Sequence, residues 1–157
     1  MPVADFYAVC APWVHRDTVA AVIAVESDGN PWAIGTPHGA VFPRTRADAV
    51  HVLATALRSE SSVDIGLMQI NSQWISRLHI PPERLLDPCF NVRVGAAILA
   101  SNFVDAARPG RTLLDTLVAA LSRFNSGTES GAIDYAEKVL SVRVRSDRSR
   151  AGANDAR

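Results

Sequence analysis

Four stretches of this chain carry apolar residues at helical spacing, and proline, glycine or asparagine separates each from the next. Val19, Val22 and Ile23 share a face with Glu26; Val50, Leu53, Ala54 and Leu57 form a second stripe; Val92, Gly95, Ala96, Leu99 and Phe103 a third; Leu114, Leu117, Val118 and Leu121 a fourth. Spacings of i, i+3, i+4 and i+7 put such residues on one side of a helix. The chain is therefore expected to bury its core between short helices. The predicted spans are Trp13 to Glu26, Thr45 to about Arg58, a short turn of helix through Trp74 to Leu78, Asp87 to about Phe103, Thr112 to Asn125, and roughly Thr128 to Val142.

Capping residues support these limits. Thr45 with Asp48 and Thr112 with Asp115 have the capping-box spacing, Asn71 or Ser72 can start the helix through Trp74, and Asp87-Pro88 supplies an N-cap followed by proline at the first helical position. Between the helices, residues 31 to 44 hold three prolines and two glycines and read as loop with a short strand or two. Val63, Ile65 and Leu67 alternate with Asp64 and Gly66, which suggests a strand pair or an extended turn. The third stripe contains small residues that would let another helix approach closely, marking that helix as central. Together these elements give an α+β fold dominated by helix.

At 157 residues, 48% apolar and 20% charged, the chain has enough material for one ordinary globular domain. Sixteen basic residues balance sixteen acidic ones, so the basic excess expected of a nucleic-acid-binding protein is missing. The balance is uneven along the chain: residues 143–157 hold five Arg and two Asp, leaving a mildly acidic body. That last stretch has little to bury and is expected to be a disordered basic tail reaching anionic polymers or a partner, with residues 1–142 as the folded domain. No apolar run reaches the ~18 residues of a membrane-spanning helix. Met1 to Val9 shows no export signal, which leaves a cytosolic protein or one whose leader has been removed. The four histidines are scattered and Cys10 and Cys89 lack a C-x-x-C spacing, so neither metal nor cofactor is expected.

Three places hold candidate chemistry. Glu26 lies on the apolar face of its helix, in the last turn. Partial desolvation and the negative end of the helix dipole would both raise its pKa, as a general acid requires; the alternative is a boundary glutamate that reaches solvent. Gln69 and Asn71 lie in the apolar run Gly66 to Asn71. Their amides can hold sugar hydroxyls or N-acetyl groups, or can satisfy neighbouring backbone instead. Phe124-Asn125-Ser126-Gly127 is a helix C-cap or a cleft wall.

Taken in order, these segments resemble the lysozyme-like lytic transglycosylases, and most of all the small members associated with type IV secretion and conjugation. The family pattern A-x-x-x-x-E-S-x-x-N-P is matched by Ala21 to Pro31, D-x-G-L-M-Q-I-N by Asp64 to Asn71, and D-P-C-x-N by Asp87 to Asn91. Y-N-S-G is matched by Phe124 to Gly127, and the likeness runs from about residue 8 to 142. The resemblance implies a lysozyme-like fold with a small β segment beside an active-site cleft. It also implies cleavage of the β-1,4 bond between N-acetylmuramic acid and N-acetylglucosamine in peptidoglycan, leaving a 1,6-anhydromuramoyl end. Glu26 would be the single catalytic group, Ser27 would orient it, and Met68, Gln69, Asn71, Asn125 and Tyr135 would contact the glycan.

The resemblance further implies a disulfide between Cys10 and Cys89 and, through it, a periplasmic monomer whose partners are glycan strands and secretion components. One position departs from the pattern. Phe124 stands where the family has tyrosine, so a hydroxyl near the catalytic glutamate is absent, and Phe124→Tyr is expected to shift the pH optimum. Three readings compete: a hydrolytic muramidase of the same fold, a glycan-binding assembly factor, and a cytosolic helical regulator.

Overall fold

The computed structural model describes residues 3–142, with side chains from Phe6 onward. The expected tail, 143–157, lies outside the described residues. The backbone divides into two compact units, one made of the chain up to Val25 and from Ala96 onward, the other of Glu26–Gly95.

The first unit is helical. It contains α1 (Val3–Cys10), most of α2 (Arg16–Glu26), the greater part of α5 (Pro88–Ala106), α6 (Leu113–Ser126) and a last helix α7 over residues 133–142. Helix α1 was not among the sequence expectations, and α2 starts three residues later than expected because His15 takes the capping position. There the His15 carbonyl accepts from the amides of Thr18 and Val19, and its Nδ1 accepts from the Asp17 amide at 3.3 Å. Val19, Val22 and Ile23 are buried as their spacing requires.

Helix α6 corrects the expected stripe. Thr116, Ala119 and Ala120 form the buried i, i+3, i+4 face together with Leu121, whereas Leu114 is 59% exposed and Leu117 and Val118 only half-buried. The start is as expected: Thr112 Oγ1 accepts from the Asp115 amide at 3.1 Å and donates to the Asp115 carboxylate at 2.7 Å. At the other end Gly127 takes φ 78° and its amide closes on Arg123, the left-handed stop that glycine permits. Ser126 also serves this corner, its hydroxyl donating to Ser122 and Thr128 carbonyls.

The second unit carries the sheet. Its strands are β1 (Ile34–Thr36), β2 (Gly39–Val41), β3 (Asp64–Ile65) and β4 (Ile70–Asn71), antiparallel in the order β2-β1-β3-β4. Helix α3 (Arg46–Ser59) packs beside it, followed by α4 (Gln73–Leu78), a 3₁₀ helix (Pro82–Leu86) and the first turns of α5. Thr45 caps α3 as expected, and its buried face is Ala49, Leu53 and Ala56, with Ala54 turned outward. The start of α4 is capped by Asn71, whose Oδ1 accepts from the Gln73 amide at 3.0 Å. Asp87 caps α5 by accepting from the Phe90 amide at 2.7 Å. Ile34, Leu53, Val63, Ile65, Ile70, Leu85 and Leu86 are fully buried and form this unit's core. Each such side chain stabilises the fold by roughly 1.5–3 kcal/mol relative to exposure.

Both cysteines of the chain are disulfide-bonded. Among the described residues, no helix is long and apolar enough to cross a membrane.

Candidate active site

Helix α2 ends on Glu26, which is half-buried. The chain then reverses: Asp28 and Gly29 take φ of 50° and 78°, and the Asn30 amide closes on the Ser27 carbonyl at 3.0 Å. Asn30 accepts from the Trp32 amide through Oδ1 at 2.8 Å, an Asx turn that sends the chain into β1. Ser27 is buried, and its hydroxyl donates to the Leu67 carbonyl at 2.8 Å. A residue adjoining Glu26 is therefore tied to the turn between β3 and β4.

That turn, Gly66 to Gln69, is held from beneath by Asn91. The Asn91 amide donates from Nδ2 to the Ile65 carbonyl at 2.7 Å and the Leu85 carbonyl at 2.8 Å, and its Oδ1 accepts from the Met68 amide at 2.9 Å. All of this is buried. Gly66, at φ 76°, sits so close that a Cβ there would fall 2.3 Å from Asn91 Nδ2 and 2.7 Å from the Leu85 carbonyl oxygen. One turn further along α5, a Cβ on Gly95 would fall 2.6 Å from the Met68 sulfur. The small residue at 95 therefore accommodates Met68 and the Ile70 side chain, where the spacing suggested a neighbouring helix.

The expected glycan-contacting residues separate accordingly. Met68 differs from the expectation of a cleft-lining side chain: it is 0% exposed and shapes the turn from inside. Gln69, in the left-handed region at φ 44°, is half-exposed, and its Nε2 donates to the carbonyls of Ala33 (3.1 Å) and Gly66 (2.8 Å). Asn71 spends both amide hydrogens inside the fold, on Ser62 Oγ at 2.7 Å and Asp64 Oδ1 at 2.8 Å. Burial pushes the Asp64 carboxyl above the ordinary range, and the bond from Asn71 pulls it partly back. Glu26, Ser27, Met68, Gln69 and Asn71 all belong to the Glu26–Gly95 unit. Asn125, exposed in the last turn of α6, and Tyr135, half-buried in α7, belong to the other unit, as does half-buried Phe124.

Sequence reasoning quoted Asn91 within D-P-C-x-N without assigning it a role. The signal was present: Asp87 as N-cap puts Asn91 in the first turn of α5, on the same face as Gly95, so both meet Met68. Among the described residues no cluster of three His, Cys, Asp or Glu side chains is placed to hold a metal ion.

A helix ending on a half-buried glutamate, a buried serine tying it to a glycine-methionine-glutamine turn, and a small antiparallel sheet are the features of a lysozyme-like α+β protein of the transglycosylase class. The chain belongs to the family described as the transglycosylase SLT domain, which matches residues 6–138. It is 33% identical to Protein virB1 of Agrobacterium fabrum (strain C58), a match covering 96% of this chain and 67% of that protein. A virB1 protein of Rhizobium radiobacter is also 33% identical, over 83% of this chain and 56% of its own length. The Type IV secretion system protein virB1 of Brucella abortus biovar 1 is 30% identical, over 83% of this chain and 59% of its own. The chain thus spans between somewhat over half and two thirds of these relatives. No solved structure gives a significant match.

Proposed function

We propose that this protein is a peptidoglycan lytic transglycosylase that opens the cell wall locally for a type IV secretion or conjugation apparatus, acting in the periplasm as a monomer. The observation that carries the reading is the Ser27–Leu67 tie, which holds the helix end bearing Glu26 against the Gly66–Gln69 turn; membership of the SLT family supports it. The printed name of the Brucella relative, a type IV secretion system protein, supports the secretion context.

In this reading Glu26, half-buried at the helix end where carbonyl dipoles converge, enters the reaction protonated and donates to the glycosidic oxygen. The C1–O bond breaks and N-acetylglucosamine leaves. The Glu26 carboxylate then takes the proton of the muramoyl 6-hydroxyl as that oxygen bonds to C1, which closes the 1,6-anhydro ring and restores the acid. The nucleophile belongs to the substrate, so orientation supplies much of the acceleration; well-placed intramolecular attack is worth up to about 7–11 kcal/mol of barrier. Ser27 acts on the protein side by fixing the helix end, while Gln69, Asn125 and Tyr135 are the residues proposed to meet the sugars.

Clearing of a purified sacculus suspension tests the assignment. Wild type is expected to clear it and Glu26→Gln to lose clearing by at least 100-fold. Equal rates would remove Glu26 from the chemistry.

A further inference from the structure

The turn that follows Glu26 contains the one place in the chain where aspartate or asparagine precedes glycine, Asp28-Gly29. Both residues are exposed, and both lie in the left-handed region, at φ of 50° and 78°. Few residues with a side chain enter that region readily, and aspartate is one of them. The Asp28 carboxyl accepts no hydrogen bond from a described residue, and the Gly29 amide donates none to one. The turn closes without them, through the Asn30 amide on the Ser27 carbonyl at 3.0 Å.

A free carboxyl beside a free main-chain amide can react with it. Glycine puts no Cβ next to the attacking nitrogen, so the approach is least hindered at such a pair. The Gly29 nitrogen gives up its proton and bonds to Asp28 Cγ; the hydroxyl of the carboxylic acid takes that proton and leaves as water, which closes a succinimide ring. Water then opens the ring at one of its two carbonyls. Breaking the bond between the Gly29 nitrogen and Cγ restores aspartate. Breaking the bond between that nitrogen and the Asp28 main-chain carbonyl carbon leaves isoaspartate, with the chain running through the side-chain carboxyl. One water leaves and one returns, and nothing is oxidised or reduced. The main chain gains one atom between Ser27 and Asn30, inside the turn that their hydrogen bond closes. Ser27 is fastened on its other side to the Leu67 carbonyl, so a longer turn pulls on the helix end at Glu26.

We propose that Asp28-Gly29 is a site of spontaneous isoaspartate formation, and that the modification inactivates the protein by lengthening the turn behind Glu26. The inactivation rests on the transglycosylase reading; the modification does not. Two asparagine-serine pairs in the same chain provide the comparison. Asn71 spends both amide hydrogens on Ser62 and Asp64, and Asn125 lies in the last turn of α6, where the Ser126 side chain crowds the following nitrogen. Asp28→Gly keeps a residue at ease with φ 50° and removes the carboxyl. Asp28→Glu keeps the charge but moves the carboxyl one carbon away, which disfavours the ring.

The test incubates the whole protein for several weeks at physiological pH and temperature. Electron-transfer fragmentation of the peptide spanning Asp28 reads the isomer, and sacculus clearing reads activity, each sample against its own starting rate. Isoaspartate is expected at Asp28 in at least a tenth of the chains and at least tenfold above any at Asn71 or Asn125. Clearing is expected to fall in proportion to it in wild type and to hold in Asp28→Gly and Asp28→Glu. Less than a tenth of the chains modified at Asp28 overturns the site. Isoaspartate there with clearing retained, or an equal loss of clearing in all three proteins, overturns the inactivation while leaving the transglycosylase reading in place. A wild type that never clears sacculi overturns that reading and the inactivation with it, and the fragmentation still decides the modification.

Discussion

Asn91 shows how much a single buried amide can decide. Its three hydrogen bonds join β3, the 3₁₀ helix and the Met68 amide, and Gly66 is kept free of a Cβ by the same contact. Asn91→Ala orphans two buried carbonyls and one amide. At about 1–3 kcal/mol for each buried group left unpaired, urea unfolding should show a loss of at least 3 kcal/mol; a loss below 1 kcal/mol would mean the turn stands without it. Asp64 acts in the opposite sense. Its folded pKa is raised, so it favours folding most in acid, below the ordinary carboxylate range, and that contribution falls as pH rises through its raised folded value. Asp64→Asn should therefore flatten the stability–pH curve in that interval, and an unchanged curve would mean the carboxyl is not desolvated. At this scale the sequence was only partly legible. The place of Glu26 at a helix end and of Gln69 in a turn follows from local pattern, but the burial of Met68 depends on Gly95 far along the chain and the bonds that occupy Asn71 on how the strands around Ser62 and Asp64 pair.

At the scale of elements, local chemistry was the better guide where it acts locally. Thr45, Thr112 and Asp87 cap the helices their spacing predicts, because a cap needs only residues within one turn. Thr112→Ala should cost about 0.5–2 kcal/mol, measurable as a lowered urea midpoint. Which face a helix buries was less legible: α6 turns Leu114 outward and buries Thr116 and Ala119, since the elements around it, and not hydropathy alone, set the contact face. The link between α5 and α6 is fastened by Glu129, which receives hydrogen bonds from Arg108 and from Arg111, the latter at 3.0 Å. Those guanidiniums, the Arg111 bond foremost, hold the Glu129 carboxyl below its ordinary value. Its contribution is present above the unfolded pKa and is lost as pH falls through the lowered folded one. Glu129→Gln should lower the thermal midpoint at pH 7 and leave it unchanged in strong acid; an equal drop at both would mean the ion pair contributes nothing.

For the whole molecule, the covalent link and the chemistry belong together. The Cys10–Cys89 disulfide that the family resemblance implies would close a loop of some eighty residues, for which chain entropy gives about 4–5 kcal/mol. Reduction should lower the denaturation midpoint accordingly, and a reduced protein of equal stability would contradict that entropy. The motif order pointed to the family because each member lies where the chain changes direction. The division of the backbone at Glu26 and at Gly95 was not legible, because α5 runs unbroken through Gly95 and Glu26 is still the last residue of α2. The central claim concerns the reaction itself, in which the substrate's own 6-hydroxyl displaces the leaving sugar. Mass spectrometry of peptidoglycan digested by wild type and by Glu26→Gln tests it most directly. The account predicts muropeptides lighter by one water, with 1,6-anhydromuramoyl ends, from wild type and none from the variant; reducing muramic acid ends from wild type would contradict it.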